Sequence, residues 1–234
     1  MKLRNNLFNF SDSHFSILSS FFGKALGVVT LIYLANILDQ ILFGLYSYVI
    51  SLAAFIAVFI KLGLPPYIVK ITSSLFALKK YAELKVLFMT VNRFLLLILI
   101  PLLILFVLCN FFFHQFFEKI SYLELLLCFL ISYGISFGEI HSSAIRGMGQ
   151  IKSSLFPENF IRPVILIFMI LIALNFYEKS VALILLLFFV AQLCTNIVYK
   201  IILVQIQKSK INNKHIIFNK EQLINRKEVG TFFY

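Results

Sequence analysis

From Tyr122 to Leu166 an apolar run carrying one buried-looking acid, Glu139, breaks into a basic connector that contains glycine. The chain then re-enters an apolar run behind Pro163. A chain that crosses a bilayer, turns at its surface and crosses back has this pattern, and a water-soluble domain rarely does. The pattern recurs along the sequence. Apolar runs over about 17–38, 43–60, 87–113, 122–143, 160–176 and 181–199 each come close to the ~20 residues that span a hydrocarbon core. Backbone polar groups in lipid must be satisfied internally, so only helices or closed barrels can cross it. These runs are too long and unbroken for barrel strands. The fold class expected is all-α, a polytopic membrane protein with six transmembrane helices.

Composition agrees. The chain has 234 residues, 61% hydrophobic and 13% charged, with a mean hydropathy of +0.95, against roughly 25% charged in soluble domains. The formal net charge of +11 would suggest nucleic acid in a soluble protein. Here the charge follows topology, and no nucleic-acid partner is expected. The connections at 39–42, 114–121 and 177–180 are short. The others are long and basic: Lys2 and Arg4; Lys61, Lys70, Lys79, Lys80 and Lys85; Arg146, Lys152 and Arg162; and a tail with seven cations from Lys200 to Lys227. Seventeen of the 21 basic residues therefore fall on one side, and the positive-inside rule places both termini in the cytoplasm. The first span is expected to act as an uncleaved signal-anchor. Residues 1–206 form the expected transmembrane lobe, and 207–234 a basic tail or inter-lobe linker. Between Pro65 and Lys85, the helical spacing of Leu75, Leu78, Tyr81 and Ala82 predicts a short helix on the inner membrane surface.

Nothing in the sequence assembles a catalytic centre. His14, His114, His141 and His215 are scattered, Cys109, Cys128 and Cys194 lie singly in apolar runs, and no phosphate-binding loop or zinc-protease motif occurs. No cofactor or metal site is expected. The informative residues are polar ones inside spans, where an ionisable group costs about 2.5–3.5 kcal/mol at the centre. Lys24, beside Gly23 and Gly27, either snorkels to the headgroups or faces a cavity. Glu139 pairs with a nearby cation or couples a proton or ion. Arg93 and Arg162 read as anchors at inner span ends. Gln192 and Asn196, with Lys200 beyond, give the last span one polar face, for interhelical hydrogen bonds or a cavity lining. Gly134, Gly138 and Ser142 give the fourth span a face of small residues where another helix can approach. Pro101 predicts a kink in the third.

Two stretches carry a resemblance. FGLYSYVISLAAFIAVFIKLGLPPYIVK, residues 43–70, and AIRGMGQIKSSLFPENFIRPVIL, residues 144–166, are similar to the second helix with its LGLP turn, and to the RGxG loop between helices four and five, of the polysaccharide-exporter branch of the MATE-like flippase superfamily. The resemblance covers nearly the whole chain as one six-helix lobe. It implies a flippase for a lipid-linked oligosaccharide, an O-antigen or capsule repeat unit on undecaprenyl pyrophosphate, in the bacterial inner membrane. Its partners would be that lipid, the surrounding membrane and a second lobe or second copy. The implied substrate-path candidates are Lys24, Glu139, Arg146, Gln192 and Asn196. Because the family pattern has two lobes, a truncated or half-length form is expected. The alternatives are a membrane-embedded acyl- or glycosyltransferase, with Glu139 and His141 as its candidates, a small-molecule exporter of the same superfamily, and an inactive remnant.

Overall fold

The computed structural model describes residues 2–61, 63–112, 120–176 and 180–211, with side chains omitted at 2–14, 16, 99, 103, 106, 109–112, 174–176 and 207–211. The expectations for His14, His114, His215, Cys109, Lys2, Arg4, Lys119, Lys179 and the tail beyond 211 fall outside what is described. The described chain is helical, with no strand: α1 Lys2–Ile37, α2 Gln40–Lys61, α3 Leu64–Ala77, α4 Tyr81–Phe112, α5 Tyr122–Gly147, α6 Ile151–Phe156, α7 Arg162–Phe176 and α8 Val181–Ile211. A π-helical turn, Pro157–Ile161, joins α6 to α7 without a break. Six helical stretches among the described residues are long and apolar enough to cross a membrane: Ile17–Ile37, Gln40–Lys61, Tyr81–Leu102, Tyr122–Gly147, Ile151–Ala173 and Val181–Ile206. The protein is a multi-pass, all-α membrane protein.

Local chemistry sets the helix ends. Ser121 and Glu124 close a reciprocal capping box on α5: Glu124 N–H donates to the Ser121 hydroxyl at 3.3 Å, and Ser121 N–H donates to the Glu124 carboxylate at 2.9 Å. Gly63, at φ 75°, makes the left-handed turn out of α2, and Pro65–Pro66 start α3, where a missing N–H costs nothing. Gly149, at φ 78°, ends α5, with its N–H on the Arg146 carbonyl and that of Gln150 on Ile145. One glycine in each family-like stretch, Gly63 in the first and Gly149 in the second, thus turns the chain.

α5 is the axis of the bundle and packs against α2, α3, α4, α6 and α8. Its contacts with α2 advance in step along both helices. The Cys128 thiol donates to the Val49 carbonyl, the Ser136 hydroxyl to that of Ala57, and Glu139 pairs with Lys61. The two helices therefore run parallel. α3 lies against the last turns of α5, where Gly147 sits directly on Thr72 and the Val69 carbonyl, and any side chain at 147 would collide with Thr72. The two family-like stretches meet at that contact. The surface helix expected over residues 65–85 is two helices: α3 ends at Ala77 with Leu78 as its cap, Lys79 takes a left-handed conformation at φ 58°, and Tyr81 and Ala82 open α4. The apolar run of the third span hid this corner, because helical spacing continues across it. α4 passes through Pro101 to Phe112.

Two large apolar cores stack along the bundle, beside smaller clusters around Ile60 and Leu75. One joins Leu34, Val49, Leu127, Ile131, Leu166, Ile170, Ile184 and Leu185. The other joins Leu64, Ile68, Leu95, Phe137, Ile140, Ile145, Tyr199 and Leu203 at the end that carries the basic connections. Gly134, Gln192 and Asn196 lie between them in sequence and in space. Outside, α2 and α4 present Phe55, Val58, Phe59, Leu96, Leu97, Ile100 and Ile104, as a lipid-facing surface must.

Candidate functional site

Two patterns visible separately in the sequence meet in one seam. The small face of α5 receives the polar face of α8. A Cβ at Gly138 would lie 2.7 Å from the Asn196 side-chain oxygen, and one at Gly134 would lie 3.0 Å from Gln192 Cγ, so only glycine admits these amides. Gln192 Nε2 donates to the Gly134 carbonyl at 3.2 Å and Asn196 Nδ2 to the same carbonyl at 3.1 Å, while Gln192 Nε2 also reaches Asn196 Oδ1 at 3.4 Å. Both amides are buried. The face continues through Tyr199 rather than the expected Lys200. Tyr199 is buried and its hydroxyl donates to the Ser154 carbonyl at 3.0 Å, whereas Lys200 is exposed with its ammonium 5.0 Å from the Phe137 ring. Helical geometry explains this: successive residues differ by about 100°, so the face tilts to Tyr199 as α8 leans across α5.

Arg162 completes the seam. Its Nη1 donates to Gln192 Oε1 at 3.4 Å, lies 3.7 Å from Glu158 Oε1, and its guanidinium is 5.9 Å from the Phe188 ring. The sequence reads Arg162 as an anchor at an inner span end; the continuous helix around it begins earlier than that reading allows. α6, the π turn and α7 form one span beginning at Ile151, so Arg162 stands about 16 Å along it, at 1.5 Å per residue. Gln192 stands an equal distance from the opposite end of its own span, which starts at Val181. Counted along these helices, each of the pair lies near the middle of a stretch long enough to cross a core about 30 Å thick. Proline and polar residues in 151–161 disguised half of this span as a surface connector. Arg93 likewise stands more than three turns inside α4, on its exposed face.

The other candidates surround the seam. Glu139, half-buried, pairs with Lys61 from the end of α2. Arg146 is exposed, its Nη2 3.5 Å from the Ser142 hydroxyl. That hydroxyl donates to the Ser154 carbonyl at 2.9 Å. Lys24 is exposed on α1, one residue beyond Gly23, which is pressed against Asn159 of the π turn. The structure thus brings Gln192 and Asn196 together, sets Arg146 one hydroxyl away from the Ser154 carbonyl, and leaves Lys24 about 100° around α1 from its packed face. Sequence reasoning missed Arg162 in this role, with Glu158, Ser154 and Tyr199. Pro157 and Pro163 inside one apolar run were the available signal, since interrupted helices at the midplane mark transporter sites.

The sequence model of the polysaccharide biosynthesis protein family matches residues 11–227, which contain all six spans and both family-like stretches. Comparison with curated proteins and with solved structures finds no match. Members of that family are exporters rather than enzymes. A six-span helical bundle matched over this length belongs to the polysaccharide exporter (flippase) family.

Proposed function

We propose that the protein moves a lipid-linked oligosaccharide, a repeat unit on undecaprenyl pyrophosphate, from the cytoplasmic to the outer leaflet of a bacterial inner membrane. Both termini and the basic end lie on the cytoplasmic side in this reading. The observation that carries it is the mid-depth seam of Arg162, Gln192 and Asn196 in a family of exporters. A pyrophosphate and its sugars cannot cross hydrocarbon unaided, while the polyprenyl tail stays in lipid throughout. A guanidinium at mid-depth offsets the anionic headgroup where the barrier is highest. Lys24 and Arg146 extend the cationic path towards the cytoplasmic end. Glu139, neutralised by Lys61, keeps its negative charge from repelling the substrate. The MATE-like architecture implies that this six-helix lobe faces a second lobe or a second copy, and that the headgroup passes between them by alternating access.

The test is reconstitution of the full chain in liposomes with an undecaprenyl-pyrophosphate-linked disaccharide carrying a fluorophore on its sugar. Flipping exposes inner-leaflet fluorophore to an impermeant quencher. The expected result is faster loss of protected fluorescence than in protein-free liposomes, and slower loss in Lys24→Ala and Arg146→Ala variants. Loss at the protein-free rate, at every protein density tried, overturns the proposal.

A further inference from the structure

The helix from Ile151 to Phe176 meets two sets of partners in two different registers. Its first half is locked at the Ser154 carbonyl, which accepts from Ser142 of α5 at 2.9 Å and from Tyr199 of α8 at 3.0 Å, and at Asn159, whose Nδ2 donates to Ser19 of α1 at 3.3 Å and whose backbone fills the space over Gly23. Its second half is locked by Arg162 on Gln192 and by Leu166 and Ile170 in the apolar core. The π turn lies between Ser154 and Arg162, with Asn159 inside it. Pro157 has no N–H to offer the carbonyl one turn back, and the Arg162 N–H bonds to Pro157 O, five residues away. A π turn is one extra residue in an α-helix, and one residue rotates all that follows by about 100°. A regular α-helix over this stretch would satisfy one set of partners and turn the other away.

We propose that the turn Pro157–Ile161 is a positioning element: its extra residue lets Ser154 and Asn159 stay docked on α5, α8 and α1 while Arg162 is delivered to Gln192 at mid-depth. Movement of α1 against Asn159 then acts on the same turn that aims Arg162. The role of Arg162 rests on the flippase reading above, but the register assignment does not.

The test uses the full chain with its native cysteines replaced and two cysteine pairs. Ser19→Cys with Asn159→Cys reports the first register, and Arg162→Cys with Gln192→Cys, bridged by a short bifunctional maleimide, reports the second. Both pairs cross-link in the parent. Deletion of Phe160, which removes the extra residue, abolishes one of them, and inserting alanine after Ile161 in the deletion variant restores it. Retention of both cross-links in the deletion variant overturns the proposal. Where the deletion variant does not accumulate, Ser142→Ala with Tyr199→Phe removes both donors to the Ser154 carbonyl. Cross-linking at 19/159 then falls while that at 162/192 persists, and an unchanged 19/159 yield overturns the proposal instead. With Arg162 intact, the deletion slows flipping of the fluorescent disaccharide lipid in liposomes about tenfold or more. A lost cross-link with full flipping leaves the register assignment standing and removes Arg162 from the transport reading.

Discussion

α5 has parallel neighbours on two sides, and the two contacts are built from different chemistry. Against α2 the contact is closed by Val49, Ala53, Ala57, Cys128, Ile131 and Ser136, small or apolar groups whose few polar atoms bond to nearby carbonyls. Against α8 the contact is closed by two amides wedged over two glycines. In lipid, helix association draws on packing and interhelical hydrogen bonds rather than on water exclusion, so either construction can hold helices together. The amide construction does something further: it gives Arg162 an interhelical acceptor in Gln192, where an apolar contact would leave it with Glu158 of its own helix. The α2 side is a joint for stability, while the α8 side keeps a charged site in place.

The largest way to break this comparison is to put a side chain on the α8 side. Gly138→Val places carbon where Asn196 Oδ1 already lies 2.7 Å from a Cβ. Overpacking of this kind costs roughly 1–3 kcal/mol, and here it also expels both amides from the Gly134 carbonyl. The expected outcome is a sharp fall in detergent-solubilised melting temperature and in the amount of folded protein. Gly44→Ala, where no atom lies within 4 Å of the added carbon, is the control and leaves melting unchanged. A Gly138→Val protein as stable as the parent breaks the claim that α8 is seated on glycine.

How much of this was legible beforehand differs between the two sides. The spans, the basic end, the small face of α5 and the polar face of α8 all read directly from residue spacing. Their meeting did not, because a period of about four residues identifies a face without naming its partner. Glu139 read as paired, but Lys61 as its partner required knowing that α2 and α5 run parallel in register. The failure at 151–161 has another cause. Pro157, Glu158 and Asn159 look like a connector by residue type, yet a π turn absorbs the proline, and the carbonyl at Ser154 finds two hydroxyl donors on other helices. Tertiary partners that satisfy a disrupted helix leave no local signature. Gly63 and Gly149 marked chain reversals in the sequence, whereas Lys79, left-handed without being glycine, marked nothing.

Next in size is Arg162→Gln, which keeps a donor for Gln192 but removes the charge. Hydrogen bonds to charged groups are worth about 1.5–3 kcal/mol, so flipping of the fluorescent disaccharide lipid is expected to slow about 10- to 100-fold while melting changes little. Glu158→Gln sharpens the reading. It removes the 3.7 Å competitor for the guanidinium and is expected to leave flipping equal or faster. Equal flipping by Arg162→Gln and the parent would reduce the seam to a structural contact like the α2 side.

The Lys61–Glu139 pair tests whether the α2 side contributes charge stabilisation of its own. The side chains are 18% and 39% exposed, so water and headgroups screen the pair, and a double-mutant cycle with Lys61→Met and Glu139→Gln is expected to give about 0.2–1 kcal/mol of coupling. Flipping should survive in the double variant, since neither charge is left unpaired, and fall in Lys61→Met alone. A coupling well above this range would mean that the pair is sealed from solvent and that the α2 side also guards a buried charge.

Ser136→Ala has the smallest expected effect and the finest resolution. The Ser136 hydroxyl lies 3.2 Å from the Ala57 carbonyl and 2.8 Å from its own helix at Ser132, so much of its bonding survives without α2. Interhelical hydrogen bonds in membranes average about 0.6 kcal/mol, because the separated helices also find partners. The expected loss is at or below that figure, read as a small drop in melting temperature with flipping unchanged. Asn196→Ala should cost more on both measures, because its Nδ2 has the Gly134 carbonyl as an interhelical acceptor, its Oδ1 accepts from Gln192, and Gln192 in turn holds Arg162. If the two alanines cost the same in stability and neither slows flipping, the flanks of α5 differ in composition only, and the amides are packing in polar form.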